Sequence, residues 1–583
     1  MCCTCHPNIK TIVGHNIKDK AIFVNKLKEL AKESLSTSLN VENHSADLII
    51  YGGNIITAED SRPEVEAIAI LGEKIIAIGN LDFVMKHFKR DSTQLLNLHG
   101  KTLTPGFIDP HMHLSGRAMV ANFIDISSFK YKTSQEIQKE IQHHVKQSVA
   151  NDWITFRGID PTLIEGTIDL SLKALDKIAP NNPLLIMHDS GHMAYVNSIA
   201  FKKANITNKT PSPQGGEFIK DSKGELTGLI IEEPALLFFI KNAIKITPEQ
   251  YIQGMIDILH LANQAGCTSI HDAALGMLDL GAEISAINVA IAKNPSMRIS
   301  AFIFTHNLEE VKNAIKLYTP EYKKKYFRII GLKAVVDGST QIGTAAYHES
   351  YLKSEYGTGH PNYKQEDLNK MVVFANKQNW QYGLHANGDL AIDMALKAFE
   401  ESHIQNKKNH LRNRIEHCSI CNDDQFAKMS DVGVSPTFLI SHLYYWGHVF
   451  SDLIGKKRAN LLDGCNNALK HNLKISLHSD YPVSPISPIM SMHIAVNRQV
   501  INSSSIINKA ECITALEALK AVTINAAWQC QTEDITGSIA VGKLADFIIL
   551  DHSPLDVDKS EIKNIQVLET WVGGKKVYKK SNI

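Results

Sequence analysis

Polar and apolar positions change rhythm along this chain, and the changes divide it into regions. Between Asp19 and Leu35 the apolar residues Ile22, Phe23, Leu27, Leu30, Ala31 and Leu35 recur at helical spacing, which predicts an amphipathic helix within an N-terminal extension, residues 1–45. From Ala46 the runs shorten and become β-branched. "ADLIIYGGNIIT", "EAIAILGEKIIAIG" and "KTLTPG", broken by Gly-Gly, Gly-Glu and Asn-Leu, predict antiparallel strands and hairpins over 46–104. The same texture returns only near the end, in "GKLADFIILD" and "IQVLETWVGGKKVY", where Gly573-Gly574 between two apolar runs predicts a tight turn. The two ends, 46–104 and 531–583, are therefore expected to pair into one small β-sandwich built around a larger inserted domain.

Between them, strand-length apolar runs alternate with longer helical patterns. "GMIDILHLANQAG" precedes "CTSIHDA", and "LNKMVVFANKQN" precedes "WQYGLHANGD". Such alternation marks βαβ units and a parallel sheet. The fold class expected is α/β, a (β/α)8 TIM-like barrel over 105–530. That interval exceeds the ~250 residues such a barrel typically needs, so it must carry an insertion. The stretch 161–246, rich in Gly, Pro, Asn and Ser, is where a lid insertion is expected.

Composition narrows the function classes. The 583 residues include 44% hydrophobic side chains, enough for a substantial core, and 61 basic residues balance 61 acidic ones. No net field collects phosphates and no basic or aromatic-interleaved stripe is present, so nucleic acid is not an expected partner. No run of ~18 apolar residues offers a membrane span, and the first residues lack a secretory apolar stretch. A cytoplasmic protein acting on a small molecule is expected, with homo-oligomerisation left open. Nine scattered cysteines point to reduced thiols. Cys2, Cys3 and Cys5 crowd beside His6, and the ordinary reading is a frayed terminus. Cys418 and Cys421 form a C-x-x-C with neither a second pair for zinc nor a thioredoxin-like context, and Cys418 is expected to face away from any site.

Chemistry gathers at the ends of predicted strands. In "TPGFIDPHMHL", His111 and His113 sit two apart and point to one side, so both imidazoles can enter one metal's coordination sphere. Lys333 lies mid-strand in "RIIGLKAVVDG" among apolar neighbours. Burial disfavours its ammonium and leaves a neutral, nucleophilic amine, which can add carbon dioxide to become a carbamate that bridges two cations. The ordinary alternative is a lysine that snorkels to the strand end. His385 in "WQYGLHANGD" and His417 in "NRIEHCSIC" have the same strand-then-histidine form. Asp480 ends the run "LKISLHSDYPVSP", with His478 two residues earlier as a supporting partner. Taken singly, each has a commonplace reading. Their joint placement, where predicted parallel strands give way to loops, matches the rim at which barrel active sites are built.

The ordered set His111-x-His113, Lys333, His385, His417, Asp480 resembles the binuclear amidohydrolase superfamily, and most of all its branch of N-substituted formamide deformylases. The likeness runs from Ala46 to Tyr578, with support from "HDSGHMAYVNSIAF", "GGEFIKDSKGELTGLIIEEPA" and "GLKAVVDGS". It implies that His111 and His113 hold the more buried metal, His385 and His417 the more exposed one, that carbamylated Lys333 bridges them, and that Asp480 completes the first. Two divalent ions, zinc above others, and carbon dioxide as the lysine carbamate are the cofactors this implies. One departure stands out: after "DGS", where many relatives have a Gly-Ser-Arg-Thr stretch, this chain has Thr340, Gln341, Ile342, Gly343 and Thr344. An arginine is missing, which leaves the metal set intact and puts the substrate pocket in question.

The expected reaction is hydrolysis of a non-peptide carbon–nitrogen bond, in an amide or N-substituted formamide. A metal-bridging hydroxide attacks, and Asp480 shuttles the proton to the leaving nitrogen. His192 and Asn197 in "GHMAYVNS" are candidate substrate contacts, His188 a weaker one, and His271 is left unassigned. Two competing readings are a mononuclear zinc deaminase, which has no need of Lys333, and a catalytically silent binding or regulatory relative.

Overall fold

The computed structural model describes residues 45–213, 216–406 and 411–581. The expected helix between Asp19 and Leu35 and the cysteine cluster at Cys2, Cys3 and Cys5 lie outside the described residues. Eight parallel strands form the central sheet: β1 (Phe107–Met112), β2 (Cys267–Leu275), β3 (Arg298–Phe304), β4 (Phe327–Val335), β5 (Gln381–Ala386), β6 (Arg414–His417), β7 (Ser435–Phe438) and β8 (Ser476–Leu477). Each pairs in parallel with the next in this order. No ladder joins β8 to β1. The seam is bridged just beyond the strand ends, where Asp480 N–H donates to His111 O and His113 N–H to Tyr481 O, each at 3.0 Å. The sheet is thus a nearly closed barrel, and its seam falls between the two chain segments richest in candidate ligands.

Helices return the chain between most strands, as β-strand, helix, β-strand crossovers require. The helix Gln365–Lys377 leads into β5, and Asp389–Asn406 leads on toward β6. Their apolar stripes join the strands in one large cluster that includes Leu368, Met371, Ile392, Ile415 and Phe438. Two glycines shape the barrel interior. A Cβ on Gly331 would lie 2.7 Å from Phe302 Cε1, and one on Gly383 would lie 2.6 Å from Phe302 Cε2 and 2.7 Å from Glu416 Oε1. Only glycine at these two places admits the Phe302 ring and the Glu416 carboxylate.

Both ends of the described chain enter a second sheet of eight strands. Its main path runs Lys575–Lys579, Val567–Val572, Phe547–Leu550, Thr102–Pro105, Leu48–Ile56, Glu64–Leu71, Lys74–Gly79, with Gln94–Asn97 beside Leu48–Ile56. The ends meet where Thr102–Pro105 pairs antiparallel with Phe547–Leu550. Gly573 and Gly574, at φ 57° and 71°, turn the last hairpin, in the mirror-image geometry that suits the strand twist.

A third sheet, of six strands, lies between β1 and β2. In order it comprises Glu217–Lys220, Leu226–Ile231, Met193–Val196, Leu184–His188, Ile154–Ile159 and Ile124–Asp125. The insertion expected at 161–246 therefore starts earlier, at the first strand after His113. The reason is physical: the helix Ser134–Gln147 followed by the strand Ile154–Ile159 has the same hydrophobic rhythm as a barrel unit, and periodicity does not reveal which sheet a strand joins. Its own apolar clusters, around Phe156 and Leu175 and around Phe218 and Phe239, are separate from the barrel's. No helix among the described residues is long and apolar enough to cross a membrane.

Candidate metal centre

The register of β4, β5 and β6 sets what faces inward. Lys333 pairs with Gly383 and Val335 with His385, while His385 pairs with Glu416 and Gly383 with Arg414. Paired residues of neighbouring strands share a face, so Lys333, His385, Arg414 and Glu416 all point into the barrel. Strict alternation would then send His417 outward. Its φ of 71° breaks the alternation and brings its ring to 4.5 Å from that of His385 and 4.9 Å from that of His111, centroid to centroid. Asp480, whose position two and four residues past His478 and Ser476 already shares Glu416's inward face, also has left-handed backbone, with φ 52°. Left-handed backbone at a residue other than glycine costs ~1–3 kcal/mol, and two such residues at one rim mark a place where position outweighs local strain.

The structure brings together most of the residues singled out in the sequence. Asp480 Oδ1 lies 3.2 Å from His111 Nε2 and 3.1 Å from His113 Nε2, and donor atoms of these three residues lie within 4.8 Å of one another. All three are buried. Lys333 is 1% exposed, and its Nζ has no hydrogen-bond partner among the described residues. Its register partner Gly383 on β5 puts it on the inward face of the barrel. It does not snorkel outward.

Electrostatics fit a cation. Burial and the charge of Lys333 pull His111 down, yet Glu416 and Asp480 outweigh both and lift the ring to about 10. The centre thus holds a proton on His111 where it wants positive charge. Burial raises the Asp480 carboxyl, but His111 and His417 hold it well below the usual range. Burial pushes His385 and His417 well below the ordinary imidazole value, which leaves neutral nitrogen donors of the kind metals take. Two histidines around one carboxylate oxygen, with an orphaned lysine nitrogen and two neutral histidines nearby, are a donor set suited to a divalent ion.

Several supporting groups were not legible in the sequence. Glu416 Oε2 contacts His111 Nδ1, and Glu416 Oε1 accepts from Arg414 Nε at 2.8 Å. Asp337 accepts from the backbone N–H groups of Asn387, Gly388 and Ala346 at 2.9–3.0 Å, fixing the loop that follows His385, and burial pushes its carboxyl up to about 7. Asn387 Nδ2 lies 3.0 Å from His385 Nε2 and donates to Gly338 O at 2.8 Å. His478, the anticipated partner of Asp480, instead stacks on His111 at 4.6 Å and 24°, and neither of its ring nitrogens has a hydrogen-bond partner among the described residues. His271 bonds Ser300 Oγ at 2.9 Å deeper in the barrel.

A narrow cavity with about 30 Å³ of free space opens onto the centre. Its walls include His192, His385, His417, His442, Trp446 and Asp480. His192 is held by Glu232, its Nδ1 2.8 Å from Oε2. Asn197 is not in this wall, which corrects its reading as a substrate contact. Its Oδ1 accepts from Ala200 and Leu184 N–H, each at 3.0 Å, and its Nδ2 donates to Ala179 O and Asn182 O at 3.0 and 2.8 Å. It is the N-cap of the helix Ser198–Lys203, with no bonding capacity left for a ligand. His188 reaches the cavity wall and pairs with Ser190 Oγ at 3.0 Å. Cys418 and Cys421 are buried free thiols, and neither lines the cavity.

A family model described as "Amidohydrolase family" matches residues 94–578. The chain belongs to the amidohydrolase family. This amidohydrolase is 28% identical over 549 residues to "Protein LONG AFTER FAR-RED 3" of Arabidopsis thaliana, covering 91% of this chain and 92% of that one. It is 27% identical over 538 residues to "N-substituted formamide deformylase" of Arthrobacter pascens, covering 91% and 97%. Among solved structures, an uncharacterized metal-dependent hydrolase from Pyrococcus horikoshii superposes with a TM-score of 0.70 at 21% identity, over 88% of this chain and 99% of that one. The barrel is thus the family's fold, and the residues gathered at its rim are the natural candidates for the amidohydrolase site.

Proposed function

We propose that this amidohydrolase is a binuclear metal-dependent hydrolase of carbon–nitrogen bonds in small amides, with N-substituted formamides as the leading substrate class. The observation that carries the reading is the buried convergence of His111, His113 and Asp480 around an oxygen shared at 3.1–3.2 Å, with the unpartnered Lys333 amine inside the same barrel mouth. The 27% identity to a formamide deformylase over nearly the full length supports the substrate class.

In this reading His111, His113 and Asp480 hold the first cation. His385 and His417 hold the second. Lys333, if carbamylated by carbon dioxide with loss of a proton, would supply an anionic oxygen donor to this centre. Divalent ions held there, zinc foremost, would supply Lewis acidity and make a bound water far more acidic than its ordinary pKa of ~15.7. Asp480 then takes the proton from the attacking water and delivers it to the departing nitrogen. His192, oriented by Glu232, donates to the substrate carbonyl. The inserted sheet, which brings His192 and His188 to the cavity wall, serves as the lid.

The test combines elemental analysis with a screen of formamides and N-acyl amines. Wild type should carry two metals per chain, and Asp480→Asn should retain metal while losing ~10²–10⁴-fold in turnover. His113→Ala should lose both metal and activity. Full hydrolysis by His113→Ala would reject the proposal, and a single bound metal would favour the deaminase reading.

A further inference from the structure

We infer that Glu416, braced by Arg414, is the positioning residue that fixes the orientation and tautomer of His111 and thereby sets the affinity of the first cation position. The inference rests on the metal-centre reading above and deepens it.

His111 is gripped from three directions. Its Nδ1 faces Glu416 Oε2, its Nε2 lies 3.2 Å from Asp480 Oδ1, and its plane stacks on His478 at 4.6 Å. A carboxylate only accepts, so the ring nitrogen facing Glu416 carries the proton and Nε2 is the nitrogen presented to a cation. Metal-bound histidines commonly have such a carboxylate behind them, and it keeps the ring from rotating about its last side-chain bond.

The brace behind Glu416 is as specific as the contact it makes. Arg414 Nε meets Glu416 Oε1 at 2.8 Å, and both side chains are fully buried. The guanidinium lies 4.7 Å over the Phe302 ring, and its Nη1 is 3.8 Å from Cys530 Sγ. Gly383, the register partner of Arg414 on β5, leaves the room this assembly needs. Arg414 partly offsets the carboxylate's charge. Glu416 also precedes His417 on one strand end. Adjacent residues of β6 therefore serve opposite halves of the centre: Glu416 supports His111 from below, and the left-handed turn at His417 carries the next ring to the second position.

The experiment is a zinc titration of chelator-stripped full-length protein against a competing chromophoric chelator, repeated with cobalt for its visible spectrum. Glu416→Gln keeps the side-chain volume and removes the charge. One of the two cations should bind ten- to hundred-fold more weakly, and the stripped single variant should also unfold at a lower midpoint, because Arg414 is left buried without its counterion. Because Glu416 does not touch substrate, activity should recover to the wild-type plateau at saturating metal, with only its metal dependence displaced. The double variant Arg414→Met/Glu416→Gln leaves no unpaired charge and should show the same displacement, which covers the case in which the single variant does not fold. Wild-type metal affinity in either folded variant overturns the inference, as does a lowered plateau with unchanged affinity. Failure of wild type itself to bind metal would overturn the parent reading instead.

Discussion

Asn197 and His192 lie five residues apart in one segment and do different work. Asn197 is enclosed by four hydrogen bonds to backbone groups. Asn197→Ala removes a helix N-cap and unpairs buried groups, so it should cost ~1–2 kcal/mol, read as a lower denaturation midpoint, with kcat and KM unchanged. A KM shift without a stability change would restore it as a substrate contact. His192 stays in the cavity wall, and Glu232 holds it there. At this scale the sequence exposes the histidines and Asp480, because metal-seeking side chains at the ends of apolar runs are conspicuous. It conceals Glu416, which beside His417 in "NRIEHCSIC" passes for an ordinary strand-end acid. Only the register with His385, together with the φ of 71° at His417, shows that neighbouring residues both turn inward.

The elements follow the hydrophobic rhythm closely where one strand and one helix alternate, as from β4 to β6. They depart from it in the inserted sheet, whose strands begin at Ile124. Among the contacts that tie that sheet to the barrel is one over the cavity. Trp446, on the helix Ser441–Ala459 that follows β7, donates from Nε1 to Asp160 Oδ2 at 2.7 Å, just past the strand Ile154–Ile159. Burial raises the Asp160 carboxyl, but His188, Thr162 and Trp446 bring it to about 2, so it is ionised at neutral pH. A hydrogen bond to a buried charge contributes ~1.5–3 kcal/mol. Trp446→Phe should therefore loosen the inserted sheet ahead of the barrel, seen as faster amide exchange in residues 154–196 with the barrel strands still protected. Uniform loss of protection would mean that the two sheets open as one unit.

At the scale of the whole molecule, the sheet shared by both chain ends is locked to the barrel through Arg298 at the start of β3. Its Nη2 donates to Asp546 Oδ1 at 2.8 Å, its Nε donates to Oδ2, and Oδ1 also accepts from Gly573 N–H at 2.7 Å. Arg298 and Asp546 are 2% and 3% exposed, so removing one partner leaves a charge buried without its counterion. Asp546→Ala should cost ~3–5 kcal/mol and lower the midpoint of a single transition, because barrel and end sheet lose the same tie. Two separate transitions in calorimetry would show instead that the sheets are energetically independent.

Hydrophobic period and residue type, both local properties, were enough to point to a parallel α/β barrel, to the pairing of the two chain ends into β-structure and to the candidate ligands His111, His113, Lys333, His385, His417 and Asp480. Three matters were decided by the tertiary structure alone. These are which sheet the strands from Ile124 onward join, which acid stands behind His111, and whether Asn197 faces a ligand or a helix end. Each depends on strand register or a backbone twist between residues far apart in the chain. No local pattern encodes those relations, because they arise only when separate segments compete for the same buried space.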